Sequence, residues 1–147
     1  MWTASDYEPD KLIASTYFGG AMASWSGALY FGTMNFPGAG ASAHRAHPDG
    51  LLDDGGRGSS VADRSVLVMR ATLPPPGIAA ESGRSGTAPT VELLYGEPSL
   101  AAWNGATWQT TPTRMGKPLL GRSGFGNSHN ICARAPPVRA LRLCTTP

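Results

Sequence analysis

The densest concentration of ligating side chains in this chain is His44-Arg45-Ala46-His47-Pro48-Asp49, followed by Asp53 and Asp54. Neutral imidazoles and carboxylates are the donors that zinc and related ions accept. His44, His47 and Asp49 are therefore the candidate metal ligands. Their His-x-x-His spacing is not that of an i,i+4 helical pair, and the Gly/Pro-rich surroundings supply no rigid platform. Nucleophilic chemistry needs a base and an orienting group beside the nucleophile. Ser123 stands in Gly121-Arg122-Ser123-Gly124, an incomplete echo of Gly-x-Ser-x-Gly, with His129 nearby in sequence. Glu92 and Glu97 lack the arrangement of a glycosidase carboxylate pair. Gly38 and Gly40 do not complete a dinucleotide fingerprint, and no Gly run is followed by a P-loop Lys. No catalytic residue is assigned from these patterns, and no cofactor is expected. Tyr30, Trp103 and Trp108 are the candidate ligand-binding residues: flat rings stack on sugars or bases, and equally wedge β-elements together.

The elements that must position these groups are short. The chain has 147 residues, with 19 Gly, 13 Pro and only 15% charged residues, which suits one domain of strands and turns. No stretch of helical length shows a clear 3.6-residue period. All ten acidic residues lie in residues 1–97, while residues 98–147 hold six basic groups and no acidic one. Those arginines are dispersed and not interleaved with aromatics, so they read as a solvated basic tail and not as a nucleic-acid surface. Met1-Trp2-Thr3-Ala4-Ser5-Asp6 lacks the basic start and apolar run of a signal peptide. No segment approaches the ~20 apolar residues of a membrane helix. Cys132 and Cys144 match no zinc or redox spacing; they are either free thiols or one disulfide.

Along the chain, residues 1–11 read as a polar, extended lead-in. Residues 12–25 carry two apolar runs around Gly19-Gly20, followed by Ser26-Gly27 and Ala28-Leu-Tyr-Phe-Gly-Thr-Met34. Alternation puts Leu29, Phe31 and Thr33 on one face and Tyr30, Gly32 and Met34 on the other. Both faces are largely apolar, as in a strand sandwiched between neighbouring sheets. Residues 35–62 read as a long surface loop. Ser65–Ala71 and Val91–Gly96 are strong strands by β-propensity, separated by a second small-residue loop. Trp25-Ser-Gly-Ala and Trp103-Asn-Gly-Ala look like two versions of one hairpin corner, with Asn104-Gly105 the stronger turn signal.

This order resembles one blade of a β-propeller of the kelch-type and related bacterial repeats. The residues that carry the resemblance are Gly27, Leu29, Tyr30, Gly32 and Trp108. Gly105-Ala106-Thr107-Trp108 is also similar to the closing half of a sialidase-type Asp box, with Trp103 where that box has its acidic residue. The resemblance implies an all-β fold: a four-stranded antiparallel blade over residues 1–130, insert loops at about 35–62 and 72–90, and the start of a second blade. Residues 131–147 are expected to form an irregular basic tail. A shifted reading of Val138–Arg142 permits Phe-Gly-Leu-Tyr-Val, so a frameshift near Asn130 and a chain that is a fragment of a longer protein are expected. A blade buries its faces only against other blades. The implied function is a non-catalytic structural or binding module, with a protein or glycan held through its loops; the alternative is part of a propeller-bearing glycan hydrolase or lyase. Neither nucleic acid nor membrane is an expected partner, and an intact parent of this kind would be secreted or periplasmic.

Overall fold

The computed structural model describes residues 2–47, 61–72, 89–134 and 142–145. Asp49, Asp53 and Asp54, residues 48–60 and 73–88 of the two insert loops, and the shifted-reading stretch up to residue 141 lie outside them.

Strands dominate, and their order follows the apolar islands. β1 (Phe18–Trp25), β2 (Ala28–Met34), β3 (Val68–Thr72) and β4 (Thr90–Tyr95) form an antiparallel meander, each paired with the next. The register aligns Leu29 with Ala71 and Phe31 with Met69, then Met69 with Leu93 and Ala71 with Val91. One face of the sheet is thereby apolar. It closes on Tyr7, Leu67, Met69 and Leu93, with Trp2, Phe31, Leu100 and Met115 packed around them. The opposite face carries Tyr30, Arg70 and Glu92 in register, with the Arg70 guanidinium 2.6 Å from the Glu92 carboxylate. β7 (Asn130–Arg134) meets the end of β2 through Met34 and Cys132, and pairs with β8 (Arg142–Thr145). Strand structure thus extends into the segment read as an irregular tail, and the backbone register sets Cys132 opposite Cys144. β5 (Ser99–Trp103) and β6 (Trp108–Pro112) form a separate two-stranded sheet. The fold is mostly β, built around an antiparallel sheet.

The two similar corners are built differently. Ser26 and Gly27 both have positive φ, 49° and 77°, the signature of the two-residue type I′ turn. The second corner is a four-residue loop between Trp103 and Trp108. Asn104 Oδ1 accepts from the backbone N–H of Ala106 and Thr107 at 2.9 and 2.8 Å, and Gly105 takes φ 99°.

Two segments depart from the sequence reading. Residues 1–11 are not an extended lead-in: a 3-10 turn over Ala4–Asp6 is followed by α1 (Lys11–Ala14), and Tyr7, Glu8 and Asp10 are buried. The 35–62 stretch is not wholly loop, because Ala39–Ala46 forms α2. Its Gly/Ala/Ser composition reads as loop, yet Ala is the best helix former and the segment has tertiary support. α2 buries Gly40, Ala41 and His44 on one face, against Ile13 and Ala62. Gly40 is required there by contact: a Cβ would lie 2.6 Å from the Ala62 carbonyl oxygen. Among the described residues, no helix is long and apolar enough to cross a membrane.

Candidate functional site

The polar chemistry of the interior gathers where the N-terminal segment, α2 and the β5–β6 hairpin meet. Asp10 is the N-cap of α1: its Oδ1 accepts from the N–H of Leu12 and Ile13 at 3.0 and 3.1 Å. Its Oδ2 accepts from the Trp103 N–H at 3.0 Å and lies 3.0 Å from His44 Nε2. A carboxylate can only accept, so Nε2 carries the hydrogen of this contact. His44 Nδ1 is buried with no hydrogen-bond partner among the described residues. The imidazole lies edge-on to Trp108, with ring centroids 5.1 Å apart, and Trp108 lies 5.6 Å from Trp103, its cross-strand partner.

Beside this pair sits a second one. Arg64 Nε and Nη2 donate to Glu8 Oε2 and Oε1 at 2.7 and 3.1 Å, a two-point clamp between buried side chains. The guanidinium also donates to the carbonyls of Ala101 and Val61 at 2.6 and 2.8 Å. Tyr17 donates its hydroxyl to Glu8 Oε2 at 3.0 Å. Burial pushes the Tyr17 phenol well above its ordinary pKa, and the charge on Glu8 adds to the shift. Tyr7 is raised chiefly by burial too, against the opposing effect of its backbone contact with Glu97. For Arg64, burial pulls downward, but the Glu8 hydrogen bond and charge outweigh it and hold the guanidinium above its usual value.

A cleft of about 260 Å³ opens next to Arg64, lined in part by Tyr7, Asp63, Glu97, Arg122 and Ser123. Ser123 donates to Glu97 Oε1 at 2.9 Å, and Arg122 contacts the same carboxylate at 3.2 Å. His129 is held elsewhere, with Nδ1 3.3 Å from Asn127 Oδ1.

Of the metal candidates, His44 is turned inward to Asp10, and His47 stands exposed at the end of α2. Among the described residues, no group of three or more His, Cys, Asp or Glu side chains is placed to hold a metal ion. Of the ring candidates, Trp103 and Trp108 stand together on one hairpin, and Trp108 packs on the Ile13–Ala41–Ala62 cluster. Tyr30 is on the other sheet, beside Trp25 at 6.2 Å. Glu8, Asp10 and Arg64 were not singled out by sequence. Asp10 had a signal, an acidic cap before the run Leu-Ile-Ala; the Glu8–Arg64 pair, 56 positions apart, had none.

Chemically, Asp10–His44 resembles the orienting half of a nucleophilic triad. It lacks the other half: His44 is 2% exposed, and no described serine or cysteine is hydrogen-bonded to it. The network ties three segments together, and Arg64 and Tyr17 also line the neighbouring cleft. No protein-family model, curated protein or solved structure matches the chain.

Proposed function

We propose that the chain is a non-catalytic, blade-like β module that works by packing against another protein surface. The observation that carries this reading is the β1–β2 hairpin. Phe18, Met22, Trp25 and Leu29 are 49, 66, 72 and 40% exposed, and Phe36 beside them is exposed as well. Scattered single hydrophobes are ordinary on a surface, whereas large ones gathered on one hairpin mark an interaction site. The register puts Trp25 and Phe18 on one face of the sheet and Met22 and Leu29 on the other. A hairpin apolar on both faces is what a blade between neighbours needs. The meander β1–β4 supports the blade comparison, and the internal use of Glu8, Asp10, His44 and Arg64 supports the absence of catalysis.

The test uses dilute native protein and an environment-sensitive apolar dye. The expected result is dye fluorescence that falls in the Met22→Ser/Trp25→Ser variant, with no hydrolysis of a panel of chromogenic glycosides. Absence of dye binding, or turnover of a glycoside that persists through purification, overturns the reading.

A further inference from the structure

We propose that β1 pairs edge to edge with β1 of a second copy of this chain, joining two meanders into one continuous antiparallel sheet. The inference rests on the packing role proposed above and names its partner. β1 is hydrogen-bonded to β2 along one edge, and no described strand pairs with its other edge. An unpaired strand edge is a template for another strand, and proteins that keep it free use charges, Pro or a bulge to do so. β1, Phe-Gly-Gly-Ala-Met-Ala-Ser-Trp, has no charge and no Pro, and its one irregularity, between Gly19 and Met22, leaves Met22–Trp25 as a regular run for pairing. The uncharged stretch is far longer than the strand: residues 12–43 contain no Asp, Glu, Lys or Arg. About a two-fold axis, a charged edge would face its own charge. An uncharged one meets no such penalty, and it offers a differently charged partner nothing to select. A second copy is the partner this edge matches.

The turn fixes which groups are available. Across a type I′ turn, Trp25 and Ala28 exchange both backbone hydrogen bonds. The alternation of an antiparallel ladder then points the N–H and C=O of Ser24 away from β2, toward the open edge. Side chains flanking that edge would be covered at the same time. Taking ~150–250 Å² for a whole large side chain, the exposed parts of Phe18, Met22 and Trp25 come to on the order of 400 Å² per copy. Twice that, about 800 Å², is below the ~1,200 Å² of stable specific interfaces, so the dimer is a weak, transient one, dissociating in the micromolar range or weaker.

Sedimentation velocity over a concentration series of the full chain tests this. The expected result is a monomer–dimer equilibrium that disappears in Ser24→Pro, which deletes the outward N–H and leaves the β1–β2 ladder intact. Met22→Lys, which places a charge beside the edge at a side chain outside the core, is expected to weaken the dimer at least tenfold. Near-ultraviolet dichroism of both variants checks that the fold is retained, and Met22→Lys serves if Ser24→Pro does not fold. A wild-type monomer at every concentration, a dimer unaffected by Met22→Lys, or open-ended growth beyond a dimer overturns the proposal. A monomer that still binds the apolar dye defeats the self-pairing alone; one that does not bind it defeats the packing role as well.

Discussion

Arg64→Met is the perturbation that most directly tests how the interior is held together. The substitution keeps much of the aliphatic volume and removes the guanidinium. Glu8 then stays buried with Tyr17 as its remaining side-chain partner, having lost contacts of 2.7 and 3.1 Å. Breaking a buried ion pair from one side typically costs ~3–5 kcal/mol, because the surviving charge is left uncompensated. The Ala101 carbonyl also loses a 2.6 Å donor, and a lost hydrogen bond of this kind adds about 1 kcal/mol. The Val61 carbonyl is at a more exposed position and regains water. The expected loss is therefore about 4–6 kcal/mol, a large part of the ~5–15 kcal/mol that holds a domain of ordinary stability. Urea unfolding followed by tryptophan fluorescence reads it, with Glu8→Gln and the double variant completing a cycle. Glu8→Gln neutralises the partner charge, so the double variant should be more stable than the sum of the single losses by ~1–3 kcal/mol. Should Arg64→Met itself not fold, Arg64→Lys keeps the charge and loses the two-point geometry, and should still cost ~1–2 kcal/mol. A loss below about 1 kcal/mol for Arg64→Met, with strictly additive behaviour in the cycle, would refute the buried clamp.

Two further outcomes follow from the packing and the phenols. Gly40→Ala raises helix propensity but drives a Cβ to 2.6 Å from the Ala62 carbonyl oxygen, so a loss of ~1–3 kcal/mol is expected in chemical denaturation, opposite in sign to the propensity gain. Tyr7 and Tyr17 have raised pKa values in the fold, so the folded state holds their protons more tightly than the unfolded chain does. Their stabilising contribution is complete below the ordinary tyrosine value of about 10 and is lost as pH climbs above it. In an alkaline titration, the tyrosinate absorbance of these two residues should appear together with loss of near-ultraviolet dichroism. Its appearance in a still-folded protein would contradict their burial.

How far the sequence reaches is clearest at β1 and β2. Alternation over Ala28–Met34 placed β2, Ser26-Gly27 placed the turn, and the apolar run before it fell within β1. These depend on near neighbours, on period-two side-chain direction, and on which residues tolerate positive φ. Asn104-Gly105 marked its hairpin for the same reason, although the turn there is built on the Asn104 side chain and spans four residues. The β character of the chain was therefore legible from short windows. Other features depended on distant partners. Ala39–Ala46 reads as a small-residue loop until Ile13 and Ala62 supply the surface that a helix of this composition needs. Asp10 is a local cap by sequence and a four-way acceptor in the fold, because β5 brings the Trp103 N–H and α2 brings His44 to the same carboxylate.

The sequence by itself determined β2, β3 and β4, the tight turn and the uncharged character of residues 12–43, each a property of adjacent residues. Only the tertiary structure decided that Glu8 would find Arg64, that His44 would face Asp10 instead of solvent, and that no described strand would pair with the second edge of β1. The first two arise because a buried polar or charged group must find a partner wherever the chain brings one within reach, and the third because strand order is set by long-range pairing; local patterning carries no record of either.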